Sequence, residues 1–214
     1  MKQAAVGFRV HSGWAAVVVV WLEKGAPVVL ERNRAHLVKT FSYTFRQPYH
    51  TAEKMPLAEA RRFVAQVQTE ARQLAQRVIH GMQSDLERAE IKLTRGNLLL
   101  ASGRPLPGLE KTLASHALIH TADGELFREA LSYAVKRCGI EMVGIKEREL
   151  LERARQTLHM QPAALLRRVT ELGKPFGSPW SQDEKFAALA AWLALASRNS
   201  GGDMAPRIQE RKKT

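Results

Sequence analysis

The side chains best suited to chemistry lie in one stretch, Ser115 to Arg128. Read as a helix, it places His116, His120 and Asp123 at i, i+4 and i+7, so all three share one stripe, with Arg128 two turns beyond His120. Two imidazoles and a carboxylate on one stripe can hold a transition metal or pass a proton. The zinc-protease pattern needs a Glu directly after the first His; Ala117 stands there, so that hydrolase motif is absent. The competing reading is structural, with His116 and His120 partly buried at a helix-sheet contact and Asp123, Glu125 and Arg128 on a solvated face. Gly124 is disfavoured inside a helix by about 1 kcal/mol relative to Ala. Either something approaches closely there, or the helix breaks at Asp123.

A second acid, Asp183, lies in Ser181-Gln182-Asp183-Glu184. That is the pattern of a helix capping box, with acids in the first turn favoured by the helix dipole, and a ligand role is the alternative. Lys and Arg number 33 against 21 acids, a net charge of +12 that favours polyanionic partners, nucleic acid before an anionic membrane surface. Between Arg32 and His50 there is no acid, and Arg32, Arg34, Lys39 and Arg46 alternate with Phe41, Tyr43, Phe45 and Tyr49. Such a mixture suits phosphate contact with base stacking. Alternation of Phe41, Tyr43 and Phe45 equally suits one buried face of a strand. The single cysteine, Cys138, excludes an internal disulfide and a cysteine-based zinc site, and reads as a core residue. The longest apolar run, Trp14 to Leu22, is nine residues, less than half of the ~20 that a membrane helix needs. The N-terminal stretch has no signal-peptide pattern, and a cytoplasmic protein is expected.

The elements that must position these residues follow from periodicity. Ala4 to His11, Gly13 to Glu23 and Pro27 to Arg34 read as three strands joined by turns at Ser12-Gly13 and Lys24-Gly25. Residues 46 to 55 read as a loop. A long amphipathic helix runs from Pro56 to about Leu86, a fourth strand lies within Ala89 to Ser102, and Leu109 to Arg137 is one helix ending at Cys138-Gly139. Ile140 to Lys146 is a fifth strand, and Glu147 to Leu158, Pro162 to Leu172 and Ser181 to Arg198 are helices. The order βββαβαβα demands a mixed five-stranded sheet with helices on both faces, an α/β domain over residues 1–198 followed by a basic, disordered tail at 199–214.

Three stretches within this order resemble the ribonuclease H-like superfamily in its RuvC-type resolvase branch. Gly7-Phe8-Arg9-Val10-His11-Ser12-Gly13-Trp14-Ala15 is similar to the first hairpin of those enzymes, Ala89-Glu90-Ile91-Lys92 to the strand that carries a Glu, and Ser178 to Leu195 to their Asp-led, Ala-rich last helix. The resemblance implies carboxylates at these places that hold divalent metals for nuclease chemistry. Here it puts Arg9 and Lys92 at two of them, leaving Asp183, so the family's two-metal chemistry does not carry over. It implies instead a basic cleft that binds nucleic acid through Arg9, Lys92, Arg32, Arg34, Lys39, Arg46 and Arg128. Two alternatives stay open: a phosphodiesterase or nuclease with a remodelled centre in which His116, His120, Asp123 and Asp183 hold one divalent metal, and a non-catalytic interaction module. The metal ligands are otherwise unassigned, and no other cofactor is expected.

Overall fold

The computed structural model describes residues 1–101 and 105–197; the expected basic tail lies outside the described residues. Strands β1 (Lys2–His11), β2 (Trp14–Glu23), β3 (Ala26–His36), β4 (Ile91–Leu100) and β5 (Glu141–Lys146) form one sheet in the order β3-β2-β1-β4-β5. The first three pair antiparallel, and β4 and β5 add in parallel, so β1 is central in the mixed sheet that the element order demands. Gly13 closes the first hairpin at φ +83°, in the left-handed region, and an added Cβ there would lie 2.7 Å from Arg46 Cγ.

Two faces of β1 serve two cores. Ala4, Val6, Phe8 and Val10 pack with the long helix α3 (Leu57–Arg88) and with α5 (His116–Arg137). The other face receives α8 (Gln182–Ala196), with α6 (Leu150–Leu158) and α7 (Pro162–Leu172) outside it. Alternation in β4 is offset at Thr94, where the register with β1 shifts between Ala4 and Ala5. That bulge is why Ile91, Leu93 and Leu98 all reach the α3/α5 core although their numbers change parity.

Helix α8 is buried from Ala187 to Ala194 without interruption. Small side chains let its backbone come down onto the sheet. At Gly7 an added Cβ would lie 1.9 Å from the Ala187 carbonyl oxygen, so only glycine allows this approach. Asn97, beside Gly7 on β4, donates from Nδ2 to the Ala190 carbonyl at 3.0 Å and ties the helix to the sheet.

Two local expectations need correction. Phe41, Tyr43 and Phe45 share no strand: residues 43–52 form two short helices, α1 (Tyr43–Arg46) and α2 (Pro48–Ala52), the second opened by proline at its first position. Phe45 packs on Phe63, ring centroids 6.2 Å apart, while Tyr43 is 60% exposed. The expected helix from Leu109 to Arg137 is split into α4 (Leu109–Leu113) and α5 by a break at Ala114-Ser115, not at Asp123. Gly124 stays helical, and the Arg128 guanidinium lies over it, 2.8 Å from where a Cβ would be.

The glycine contact predicts opposite outcomes at two positions. Gly7→Ala should lower unfolding free energy by about 3 kcal/mol, the upper range for overpacking. Gly81→Ala, at a site on α3 with nothing near an added Cβ, should raise it by about 0.5–1 kcal/mol. Urea denaturation of both variants checks this.

Candidate functional site

Where α8 begins, the carboxyl ends of β1 and β5 converge on its first turn. Ser181 caps the helix in a full capping box with Glu184, its hydroxyl accepting from the Asp183 amide at 3.1 Å. The cap fixes the first turn, so Asp183 faces β1 two residues beyond Gly7. There its carboxylate accepts from Arg9 Nη1 and lies 2.8 Å from His11 Nε2. Arg9 also grips Glu147, just past β5, through Nε at 3.0 Å and Nη2 at 2.7 Å. One guanidinium thus joins two carboxylates, and Asp183 has both Arg9 and His11 as partners.

Electrostatics follow from that geometry. The bidentate bond to Glu147, set against burial and assisted by Asp183, holds the Arg9 guanidinium above its ordinary pKa. Burial pushes the Asp183 carboxyl up, but hydrogen bonds from His11 and Arg9 outweigh it and hold that pKa below the ordinary aspartate value. Arg9 against Asp183 and Glu147 leaves a formal −1 with neutral His11. The basic character expected at Arg9 is therefore corrected to a cluster in which the one cation is outnumbered by its two acids. The donor set does not fit a divalent-metal centre either, because the oxygens that would bind the ion are occupied by a cation of the chain itself.

The second candidate cluster sits on the opposite face of the sheet. His116 and His120, on the first turns of α5, are both exposed, not partly buried at the sheet as the structural reading has it. Their Nε2 atoms are 3.1 Å apart. Asp123 does not join them on a solvated stripe. It is 2% exposed, accepts from the Tyr49 amide at 2.7 Å and lies 2.5 Å from His50 Nδ1. Burial raises the Asp123 pKa, against the opposing bonds from His50 and Tyr49. His50, on α2, is the residue that sequence reasoning missed; its ring centroid is 4.4 Å from that of His120 and 5.4 Å from that of His116. One nitrogen from each of the three rings lies within 4.8 Å of the others. Asp183 belongs to the Arg9 cluster, so the structure does not unite it with the histidines.

Most of the candidate cations have partners inside the chain. Arg32 donates to the Pro179 carbonyl and, at 3.2 Å, to that of Phe176. Arg46 donates to the Ser12 carbonyl at 3.3 Å, Lys39 pairs with Glu70 at 3.3 Å, and Arg128 pairs with Glu125 at 3.0 Å. Arg34 is exposed, its guanidinium 3.7 Å from the Trp14 ring centroid, and Trp14 in turn stacks on His11 at 4.3 Å. Lys92 is exposed but misplaced by the resemblance: it pairs with Gln3, six positions before Arg9. At ~3.3 Å per residue that is about 20 Å away, near the opposite end of the sheet. The residue that meets Arg9 from the parallel side of the sheet is Glu147, just past the end of β5, and an acid just past a parallel strand was the signal that could have found it.

The depressed Asp183 pKa fixes a sign. A carboxylate whose pKa falls on folding contributes stability above its unfolded value of about 3.9, and loses it as pH drops through the folded value. Asp183→Asn should therefore be less stable than the parent by a constant margin at neutral pH, and that margin should shrink below about pH 4. Urea midpoints at pH 7, 4 and 3 measure it.

No family model matches the chain, and no curated protein matches it. Solved structures do. A Thermus thermophilus RuvC in complex with a Holliday junction substrate is similar with a TM-score of 0.52 over 93% of this chain and 96% of that one, at 11% identity. A second Thermus thermophilus RuvC structure gives 0.51, with 92% and 95% coverage and again 11% identity. The likeness covers nearly all of the chain, and the chain has the ribonuclease H-like fold in its RuvC-like form.

Proposed function

We propose that this chain is a cytoplasmic nucleic-acid-binding protein that uses the carboxyl-end cleft of a RuvC-like fold without a two-metal nuclease centre. The observation that carries the proposal is Arg9. In the resemblance its position is a metal-binding acid; here it is a cation already bound to Asp183 and Glu147. Attraction for a polyanion then comes from the net charge of +12 and from the cleft rim, not from the floor. On the rim, Arg34 over Trp14 offers a charge for phosphate beside an aromatic plane for a base. Arg32 and Arg46, each bonded to backbone carbonyls of the chain, support that rim from within, while Lys92 lies near the opposite end of the sheet and takes no part in it. No helix among the described residues is long and apolar enough to cross a membrane.

A second reading, a phosphodiesterase with a remodelled metal centre, has the three-histidine cluster in its favour. Cleavage separates the two.

Fluorescence anisotropy with a labelled four-way junction, a duplex and a single strand tests the first reading. With about four phosphate contacts, affinity should fall roughly 100-fold between 50 and 200 mM salt. Arg34→Ala should weaken binding to every sequence and lower the salt slope by about 1. None of the substrates should be cut in Mg²⁺ or Mn²⁺. Absence of binding at low salt, or Mg²⁺-dependent cleavage abolished by Asp183→Asn, contradicts the proposal.

A further inference from the structure

The chain has seven histidines, and three of them, from two helices far apart in sequence, converge at one point. His116 and His120 are one helical turn apart on α5, which alone would make an ordinary exposed pair. His50 arrives from α2, and what brings it there is a built support. Asp123, on the same helix as the pair but turned inward, takes both the Tyr49 amide and His50 Nδ1. The carboxylate fixes the backbone and the ring of α2 together, and with Nδ1 engaged the other ring nitrogen, Nε2, is the one left to bind. A carboxylate behind a histidine in this way is the arrangement that orients metal-bound imidazoles and strengthens them as donors.

We infer that His50, His116 and His120 form a site for a divalent transition-metal ion of the zinc class, with Asp123 as the residue that positions His50. Three neutral imidazoles suit zinc, cobalt or nickel better than magnesium or calcium, which require oxygen ligands. Zinc-nitrogen bonds of about 2.0–2.1 Å place the nitrogens of a tetrahedral ion roughly 3.3 Å apart. The 3.1 Å between the Nε2 atoms of His116 and His120 is already close to that edge, and one nitrogen of His50 lies within 4.8 Å of nitrogens of both other rings, about 1.5 Å beyond the edge at most. Because His116 and His120 are exposed, the fourth position opens to solvent, where water or an anionic oxygen would complete the shell. Binding would tether α2 to α5. It is independent of the Arg9 cluster, which lies on the other face of the sheet, and holds whether or not the chain cleaves nucleic acid.

Titration of the metal-free full chain with Co²⁺ and with Zn²⁺ tests it. Co²⁺ should bind at one equivalent with the intense visible absorption of a four-coordinate ion, and Zn²⁺ should displace it and raise the melting temperature. His116→Ala and His120→Ala, both at exposed positions, should each weaken binding at least 100-fold while leaving the metal-free melting temperature nearly unchanged. Asp123→Asn should weaken it about 10- to 100-fold, the range for a lost supporting carboxylate. His50→Ala removes a buried ring, so circular dichroism must first show the variant folded. The inference is overturned if Co²⁺ shows only the weak spectrum of a six-coordinate ion, if no binding occurs at micromolar metal, or if His120→Ala binds as tightly as the parent, which would assign the ion to other histidines.

Discussion

Everything at the cleft depends on how closely α8 lies on β1. Gly7 has no Cβ, and the Ala187 carbonyl oxygen occupies the space one would need. With the helix backbone seated there, Asp183, one turn earlier, comes within reach of Arg9, two residues further along the same face of the strand. A larger residue at position 7 would lift the helix and separate the charges that meet beyond it. The alanines of α8 serve the same end, since any longer side chain on that face would act as a spacer. Capping by Ser181 and Glu184 is therefore more than local stabilisation, because it sets the direction from which Asp183 enters the cleft.

Given that approach, the identity of residue 9 decides what the cleft can do. Three acids converging in a partly buried place repel one another and require a cation. In a metal-dependent nuclease a divalent ion supplies it. Here the cation is covalently part of the chain, and Glu147 and Asp183 spend their lone pairs on it. A guanidinium is planar, permanently charged and already paired on two sides, so it offsets one of the two negative charges without offering an open coordination position. The cluster ties the ends of β1, β5 and α8 together at the place where the parallel strands open.

Legibility in the sequence divided along the length of the interactions. The five strands and the mixed character of their sheet followed from apolar runs, hairpin glycines and the alternation of strand with helix, all of them local signals. Arg9 and Asp183 were found by resemblance to a strand end and a helix start. Lys92 was assigned wrongly for the same reason that Glu147 was overlooked: register between parallel strands joined by a crossover is not encoded locally, and the bulge at Thr94 shifts it further. The histidine pair was visible as an i, i+4 spacing. Its third member was hidden because Pro48 and the alternating aromatics disguised two short helices, and because Asp123 belonged with Tyr49 and His50, more than seventy residues away.

The role proposed for Arg9 is to stand where a metal-dependent relative would hold an ion, and anomalous diffraction tests it without relying on activity. Crystals grown or soaked in millimolar Mn²⁺ should show no anomalous peak between residues 9, 147 and 183, with the guanidinium still joined to both carboxylates. A manganese peak bound by Asp183 and Glu147, with Arg9 turned out of the cleft, would contradict the account.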